Sequence, residues 1–188
     1  VTLLTQSDEV SETNEEHIPT ELKRICSLFG QAGLQYNFFK CEHIFQGANK
    51  NLDLLFLTDS EYQAASAILE KEGYILYMNE SVEKHKRMYV KVDKILTAVH
   101  LHREIAWHGV PVLNKKMIFA RAKNNIPSAE DALLIHSAHA LFENFKVTPF
   151  QKELLLKYQK EANGPEYISQ HLSKFGWKKA FYQFTKNG

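Results

Sequence analysis

A short apolar run with one charged residue inside it, NLDLLFL at residues 51–57, constrains the fold more than any other segment. Its length and apolar content predict a β-strand that is covered on both faces. Side chains alternate along a strand, so Asn51, Asp53 and Leu55 share one face, and the apolar side chains between them share the other. A buried carboxylate without a partner costs several kcal/mol, so the surroundings of Asp53 need a physical explanation.

The segments around this strand predict a mixture of strands and helices, followed by helices alone. The TDSE motif predicts a capping box between Thr58 and Glu61, and further helix starts are indicated at Ser128 and Thr148. Strands are predicted at residues 36–45, 51–57, 74–78, 87–92 and 95–102. Helices are predicted at about 19–32, 60–72 and 115–123, then from Ser128, from Thr148 and after Gly164-Pro165. Strands segregated from a helical tail are typical of the α+β class.

Three segments are predicted along the chain. Residues 1–17 are acidic and without hydrophobic period, which predicts a flexible tail. Residues 18–125 are predicted to form an α+β core with a small mixed sheet, and residues 126–188 a helical C-terminal subdomain. With 44% hydrophobic and 24% charged residues, the composition is typical of a globular protein.

Composition and charge limit the cellular locations and the kinds of partner that the sequence predicts. No apolar run approaches the roughly 20 residues of a membrane span, and the N-terminus lacks a basic start followed by an apolar stretch. With only two cysteines, these features predict a cytoplasmic protein with reduced thiols and no membrane contact. The first residue is Val1 rather than Met, which leaves open a start further upstream. The net charge of +1 gives nucleic acid no general attraction, although the lysine-rich residues 146–188 leave a polyanion contact open.

Two positions on the predicted strand at 51–57 carry oxygen ligands on the same face. Asn51 and Asp53 lie roughly 6.5–7 Å apart along such a strand. Two oxygen-bearing side chains at that spacing can converge on one hard cation such as Mg²⁺. The alternative is that Asp53 binds a lysine or a backbone N–H at the end of the strand.

Histidines supply the second group of candidate ligands. His100 and His102 alternate onto one face of the strand predicted at 95–102, and a His-x-His strand can offer two imidazoles to a metal. The alternative is a pair of hydrogen-bonded histidines. His136 and His139 share a helix face with Glu143, but their spacing does not match a zinc-protease helix, so packing or capping is the favoured interpretation.

Taken in order, these segments resemble the nucleotidyltransferase superfamily, in particular a bacterial and archaeal branch with a helical C-terminal part. The resemblance covers roughly residues 36–145. Its parts are FK at 39–40, a glycine-containing turn at 46–50, NLDLLFLTDSEY at 51–62, EKEGY at 70–74, AVHLHRE at 98–104 and PSAEDALLIHSAHALFE at 127–143. Members of this branch show a D-x-D strand that leads into a capped helix, then a strand with an acid just before a histidine.

The resemblance implies a metal-dependent transfer of a nucleotidyl group from a nucleoside triphosphate to a hydroxyl acceptor. In the superfamily, the D-x-D acids and a third acid hold two divalent ions. Asp53 matches the second acid, Asn51 occupies the position of the first, and His100 that of the third if His102 matches the family histidine. One carboxylate of three therefore remains, and reduced activity is expected, with Mg²⁺ or Mn²⁺ as cofactor and zinc less favoured. The residues predicted to bind substrate are Lys40, Gly47, Lys50, His102 and Arg103. For Arg103, which directly follows the His-x-His segment, the alternatives are a phosphate contact and a salt bridge.

Two other functions compete with this interpretation. A non-catalytic relative would bind a nucleotide or a partner protein through the same cleft, and Asn51 favours it. A transition-metal site formed by Asp53, His100 and His102 would instead support hydrolysis. The partners expected are a nucleoside triphosphate and an unknown hydroxyl acceptor, with a protein partner or a homodimer left open and nucleic acid weakly supported.

Overall fold

The computed structural model of the chain describes residues 9–40, 51–92, 96–145 and 147–187. Within these ranges the chain forms seven α-helices, a π-helical turn and two β-sheets, so the predicted α+β class with a mixed sheet is confirmed. The helices are α1 (Glu9–Gln31), α2 (Asp59–Lys71), α3 (Lys115–Arg121), α4 (Ala129–His139), α5 (Pro149–Glu161), α6 (Pro165–Lys174) and α7 (Lys178–Asn187), with the π-helical turn at Ala140–Asn144. The strands are β1 (Tyr36–Phe38), β2 (Asn51–Phe56), β3 (Ile75–Met78), β4 (Lys86–Val92), β5 (Leu96–His102), β6 (Ala106–Trp107) and β7 (Val110–Pro111).

The main sheet has five strands in the order β1-β2-β5-β4-β3, and β6 with β7 forms a separate two-stranded sheet. β2 and β5 run parallel, whereas the other neighbouring pairs of the main sheet are antiparallel. The parallel register places Asp53 opposite His100 and Leu55 opposite His102. Polar residues from two strands that are distant in sequence therefore meet near the middle of the sheet.

The turn from β2 into α2 follows from local capping chemistry. The Thr58 side chain accepts a hydrogen bond from the backbone N–H of Glu61, and the Glu61 carboxylate accepts one from the backbone N–H of Thr58. This reciprocal pair satisfies two N–H groups that a helix start leaves without partners. The capping box predicted from TDSE is confirmed.

Two hydrophobic cores lie on opposite sides of β2. The side that packs on α1 and α2 is called the α1–α2 face here, and it takes Leu52, Leu54 and Phe56 from β2. The opposite side, called the C-terminal face, takes Leu55 and packs it with α4 to α7. The alternation predicted for residues 51–57 is confirmed.

The C-terminal helices begin where the sequence predicts. The Ser128 side chain caps α4 by accepting from the Asp131 N–H, and Thr148 with Gln151 forms a capping box at α5. The indole N–H of Trp177 donates to the carbonyl of Val112 at 3.2 Å, which joins these helices to the segment that follows the small sheet.

The first helix differs from the prediction. α1 begins at Glu9, not near residue 19, so residues 9–17 are helical although the sequence predicts a flexible tail. Residues 9–17 contain four glutamates, and glutamate has a high helix propensity. The strand predicted at 36–45 is seen as Tyr36–Phe38, and residues 41–50 lie outside the described ranges.

The predicted boundary between core and helical subdomain falls on a tight turn. Asn124 and Asn125 both adopt left-handed backbone angles, and Lys123 and Ile126 exchange backbone hydrogen bonds across them. The backbone N–H of Phe38 donates to the carbonyl of Asn125 at 2.8 Å, which holds this turn against β1.

Two further sequence predictions concern thiols and membranes. Cys26 is a free cysteine among the described residues, and Cys41 lies outside them. Among the described helices, none has the length and apolar character that crossing a bilayer requires.

Candidate metal centre

Asp53 lies in the middle of β2 on the C-terminal face and is only 5% exposed. Its Oδ1 atom accepts a hydrogen bond from His102 Nε2 at 2.8 Å and one from His100 Nδ1 at 3.1 Å. A carboxylate can only accept, so each of these ring nitrogens carries the donated proton. We call Asp53, His100, His102 and the neighbouring Lys40 the Asp53 centre.

Lys40 brings the fourth side chain to the centre. Its Nζ lies 3.9 Å from Asp53 Oδ1, and its side chain is 10% exposed. The backbone holds Lys40 in a left-handed conformation with a φ of 59°, directly after Phe39, whose N–H donates to the Asp53 carbonyl at 2.9 Å. The ammonium also lies over the rings of Phe39 and Trp107, at 5.1 and 5.9 Å from their centroids. Such contacts favour a cation over an aromatic face.

The electrostatics keep Asp53 ionised and His102 neutral. Burial by itself would raise the pKa of Asp53, but the Lys40 charge and the hydrogen bonds from both histidines outweigh it and hold that pKa well below its ordinary value. Burial lowers the pKa of His102 to about 4, against the opposing pull of Asp53. His102 is therefore a neutral imidazole at neutral pH, which is the form that binds metals.

A second carboxylate lies beyond Lys40, on the π-helical turn. Glu143 Oε2 is 3.6 Å from Lys40 Nζ, accepts a hydrogen bond from Trp107 Nε1 at 2.7 Å, and lies 3.1 Å from His139 Nε2. Burial would raise the pKa of Glu143, but the hydrogen bond from His139 and the charge of Lys40 lower it well below its ordinary value. π-helical turns occur often at functional sites.

The donor atoms of the Asp53 centre are spaced as ligands of one metal ion would be. One oxygen of Asp53 and one nitrogen each of His100 and His102 lie within 4.8 Å of one another. Cis ligands at metal–ligand distances of about 2.1 Å are roughly 3.0–3.4 Å apart, close to the distances from Asp53 Oδ1 to the two ring nitrogens. Ligation of an ion by these nitrogens would replace both hydrogen bonds and would require each ring proton to move to the other nitrogen of its imidazole. The His100 Nε2 atom, which is not the ring nitrogen that faces Asp53, is buried without a hydrogen-bond partner in the described part of the chain.

The chemistry of this donor set selects among ions. Two imidazoles and one carboxylate suit a transition-metal dication such as Mn²⁺, Fe²⁺ or Zn²⁺, whereas Mg²⁺ prefers oxygen ligands. A pair of magnesium ions needs several carboxylates to offset the repulsion between the ions. The Asp53 centre offers one carboxylate, so its residues do not fit a magnesium pair and do fit a single transition-metal ion.

The residues predicted for the site divide into three groups. The structure brings Asp53, His100, His102 and Lys40 together. Asn51 pairs with Ala98 in the register and is half-buried, and in the described ranges no hydrogen bond joins it to the Asp53 centre. Gly47 and Lys50 lie outside the described residues.

Arg103 has a different environment from the other predicted residues. It forms a two-pronged ion pair with Asp59 at the start of α2, with Nε at 3.0 Å from Oδ1 and Nη2 at 2.5 Å from Oδ2. Its guanidinium lies 5.6 Å from the centroid of the Tyr62 ring, and Tyr62 belongs to the α1–α2 core. The structure therefore places Arg103 with the α1–α2 face and not with the Asp53 centre.

Sequence reasoning missed the contact between Lys40 and Glu143. It grouped Glu143 with His136 and His139 on one helix face, but the His136 ring stacks on Tyr158 at 5.7 Å between centroids. Glu143 and His139 are i and i+4 neighbours, which was the one available signal for their contact. Nothing local in the sequence links residue 40 to residue 143.

Comparison of the chain with protein-family models, with curated proteins and with solved structures gives no match. The geometry of the Asp53 centre is therefore the basis for a functional proposal.

Proposed function

We propose that the protein is a nucleotidyltransferase-like protein whose centre holds one transition-metal dication, and that it transfers a nucleotidyl group from a nucleoside triphosphate to a hydroxyl acceptor. The observation that carries the proposal is the parallel pairing of β2 with β5, which sets Asp53 directly opposite His100. The resemblance predicts this juxtaposition, because it assigns Asp53 to one acid position and His100 to another on a neighbouring strand.

The residues of the Asp53 centre have different roles in the proposed reaction. Asp53, His100 and His102 would hold the ion, which when bound offsets negative charge on the phosphates. Lys40 would steady the triphosphate with its ammonium, as lysines do at phosphate sites. In the reaction, the acceptor oxygen bonds to the α-phosphorus, the bond from that phosphorus to the bridging oxygen breaks with its electron pair left on pyrophosphate, and the hydroxyl proton passes to solvent.

The proposal includes a low rate of nucleotidyl transfer. With Asn51 in place of one acid and His100 in place of another, the centre has little negative charge to hold a second dication. Catalysis would rest on one ion and on Lys40, which supply less charge stabilisation than a two-metal site.

A second candidate function is that of a non-catalytic relative that binds a nucleotide or a partner protein through the same centre. The observation that favours it is the ion pair between Lys40 and Asp53, which already neutralises the one carboxylate of the centre. Such a protein would bind nucleotide without turnover.

Pyrophosphate release from each of the four ribonucleoside triphosphates, with Mn²⁺, Zn²⁺ or Mg²⁺ present, tests the proposal. We expect slow release that is faster with Mn²⁺ or Zn²⁺ than with Mg²⁺, absent in Asp53→Asn and unchanged in Glu80→Gln, which removes a carboxylate that pairs with Arg87. Asn51→Asp should raise the rate, because it adds a carboxylate on the same strand. Nucleotide binding without release in any variant would support the second candidate, and the absence of both binding and release would refute both.

A further inference from the structure

We propose that Lys40 is an internal cation that competes with the metal ion for Asp53, and that Glu143 receives its ammonium when the ion binds. This inference rests on the proposed metal centre and adds a regulation of it. Metal binding would then be weak in the free protein and would strengthen whenever an anionic ligand draws Lys40 away from Asp53.

The position of the Lys40 ammonium is the first observation. It lies 3.9 Å from Asp53 Oδ1 and 3.6 Å from Glu143 Oε2, so it stands between two carboxylates. Neither distance is that of a short charged hydrogen bond, which is about 2.7–2.9 Å. A small rotation of the side chain therefore moves the ammonium toward either carboxylate.

The second observation is that three side chains approach the same oxygen of Asp53. Both histidines donate to Asp53 Oδ1, and Lys40 approaches that same atom. A metal ion bound to Asp53, His100 and His102 would occupy the space next to Oδ1, within a few ångströms of the ammonium. Two positive charges that close in a buried site repel strongly, because the surroundings screen them poorly.

The charge balance of the centre also supports a competition between Lys40 and the metal ion. Without metal, the Asp53 carboxylate and the Lys40 ammonium, 3.9 Å apart, balance each other's charge. A dication adds two positive charges, which one carboxylate does not offset. Glu143 supplies a second negative charge, and the anionic phosphates of a nucleotide would supply more.

Glu143 is placed to receive the ammonium. Its Oε2 atom is fixed by the Trp107 indole N–H and by His139, so it does not have to move. Trp107 also lies under the Lys40 ammonium, and its ring provides a favourable surface along which the charge can shift toward Glu143.

The test measures Co²⁺ affinity through the visible absorption that Co²⁺ gains on binding imidazole and carboxylate ligands, with no nucleotide present. Lys40→Met should bind Co²⁺ at least tenfold more tightly than the unaltered protein, because the competing charge is gone. A gain in affinity cannot arise from damage to the fold. The matched control is Lys91→Met, which removes a lysine that contacts Glu72 and Glu21 away from the Asp53 centre and should change the affinity less than twofold.

A double-mutant cycle tests the role of Glu143. Glu143→Gln keeps an oxygen acceptor for Trp107 but removes the charge, and should weaken Co²⁺ binding at least threefold. In the Lys40→Met background the same change should weaken binding by a clearly smaller factor, because no ammonium remains to be received and only the direct attraction between Glu143 and the ion is lost. An equal loss in both backgrounds would show that Glu143 acts on the metal site without Lys40 and would overturn its role as receiver.

The outcomes separate this inference from the proposed function. If Lys40→Met binds Co²⁺ no more tightly than the unaltered protein, the competition is refuted and the metal centre stands. If the folded protein and all variants fail to bind Co²⁺, the metal centre itself is refuted, and the competition with it.

Discussion

The two faces of β2 are built on different principles although their residues alternate along one strand. On the α1–α2 face, Leu52, Leu54 and Phe56 are at most 1% exposed and pack among apolar and aromatic side chains. On the C-terminal face, the same strand buries a carboxylate that depends on two histidines and a lysine from elsewhere in the chain. Burial of Phe56 is favourable by itself, whereas burial of Asp53 is tolerated only because its partners are present.

This difference bears on both the stability of the protein and its proposed function. Replacing a buried ionic group by apolar residues of similar volume is often neutral or stabilising, so a group of this kind is weak evidence for stability. The α1–α2 face of β2 therefore contributes to stability by apolar packing alone, whereas its C-terminal face combines the packing of Leu55 with the ionic group on which the proposed function depends. Substitutions on the two faces should have different consequences.

The largest expected effect is a loss of stability on the α1–α2 face. Phe56→Ala should lower the free energy of unfolding by about 3–5 kcal/mol, because it leaves a cavity among Phe29, Tyr36 and Tyr62. Urea denaturation measures this loss, and Tyr77→Ala, at a side chain that is 72% exposed, is the control with a change below about 0.5 kcal/mol.

The Co²⁺ affinity of the same Phe56→Ala variant tests whether the two faces of β2 are independent of each other. Phe56 points away from the Asp53 centre, so we expect the folded variant to keep its affinity within twofold. A tenfold loss in conditions where the variant is folded would show that the two faces are coupled through β2, and the division between them would be wrong.

Most of the fold could be predicted from the sequence because its signals are local. The capping box at Thr58, the proline after Thr148 and the alternation in residues 51–57 each specify structure within a few residues. The start of α1 could not be placed in this way, since residues 9–17 lack apolar period and their helix continues into the amphipathic segment that packs on the sheet.

The site was predictable only in part, for a physical reason. Strand alternation correctly placed Asp53 on one face, and also His100 and His102 on one face, because that information lies within each strand. The parallel register that joins the two strands, the left-handed turn at Lys40 and the approach of Glu143 depend on tertiary packing. No periodicity or spacing in the sequence encodes those contacts.

The second-largest expected effect is a pH dependence of the free energy of unfolding, which arises from His102 on the C-terminal face. The pKa of His102 is lowered to about 4 in the folded protein from an ordinary value of 6.5, so the unfolded chain takes up a proton first as the pH falls. The free energy of unfolding should therefore decrease between pH 6.5 and pH 4, by at most about 3 kcal/mol. Because the pKa of Asp53 is lowered in the folded protein, the stability that its ionised carboxylate contributes is lost only in more acidic solution.

Urea denaturation at pH 7, 5.5 and 4 measures this dependence. His102→Gln keeps a donor for Asp53 but cannot take up a proton, and should flatten the curve over this window. His108→Gln, at an exposed histidine, should retain it. If His102→Gln and the unaltered protein lose stability in parallel, the acid sensitivity arises elsewhere and the Asp53 centre does not hold a neutral His102.

The smallest expected effect concerns Arg103, for which the sequence predicts either a phosphate contact or a salt bridge and which the structure pairs with Asp59 beside Tyr62. Binding of a non-hydrolysable nucleoside triphosphate, measured with a chelator present so that metal does not contribute, should weaken less than twofold in Arg103→Ala. Lys40→Ala should weaken it tenfold or more, because that ammonium lies on the face where the phosphates would bind. A tenfold loss in Arg103→Ala would mean that the guanidinium leaves Asp59 to reach the ligand, and the binding surface would then extend around the edge of the sheet to both faces.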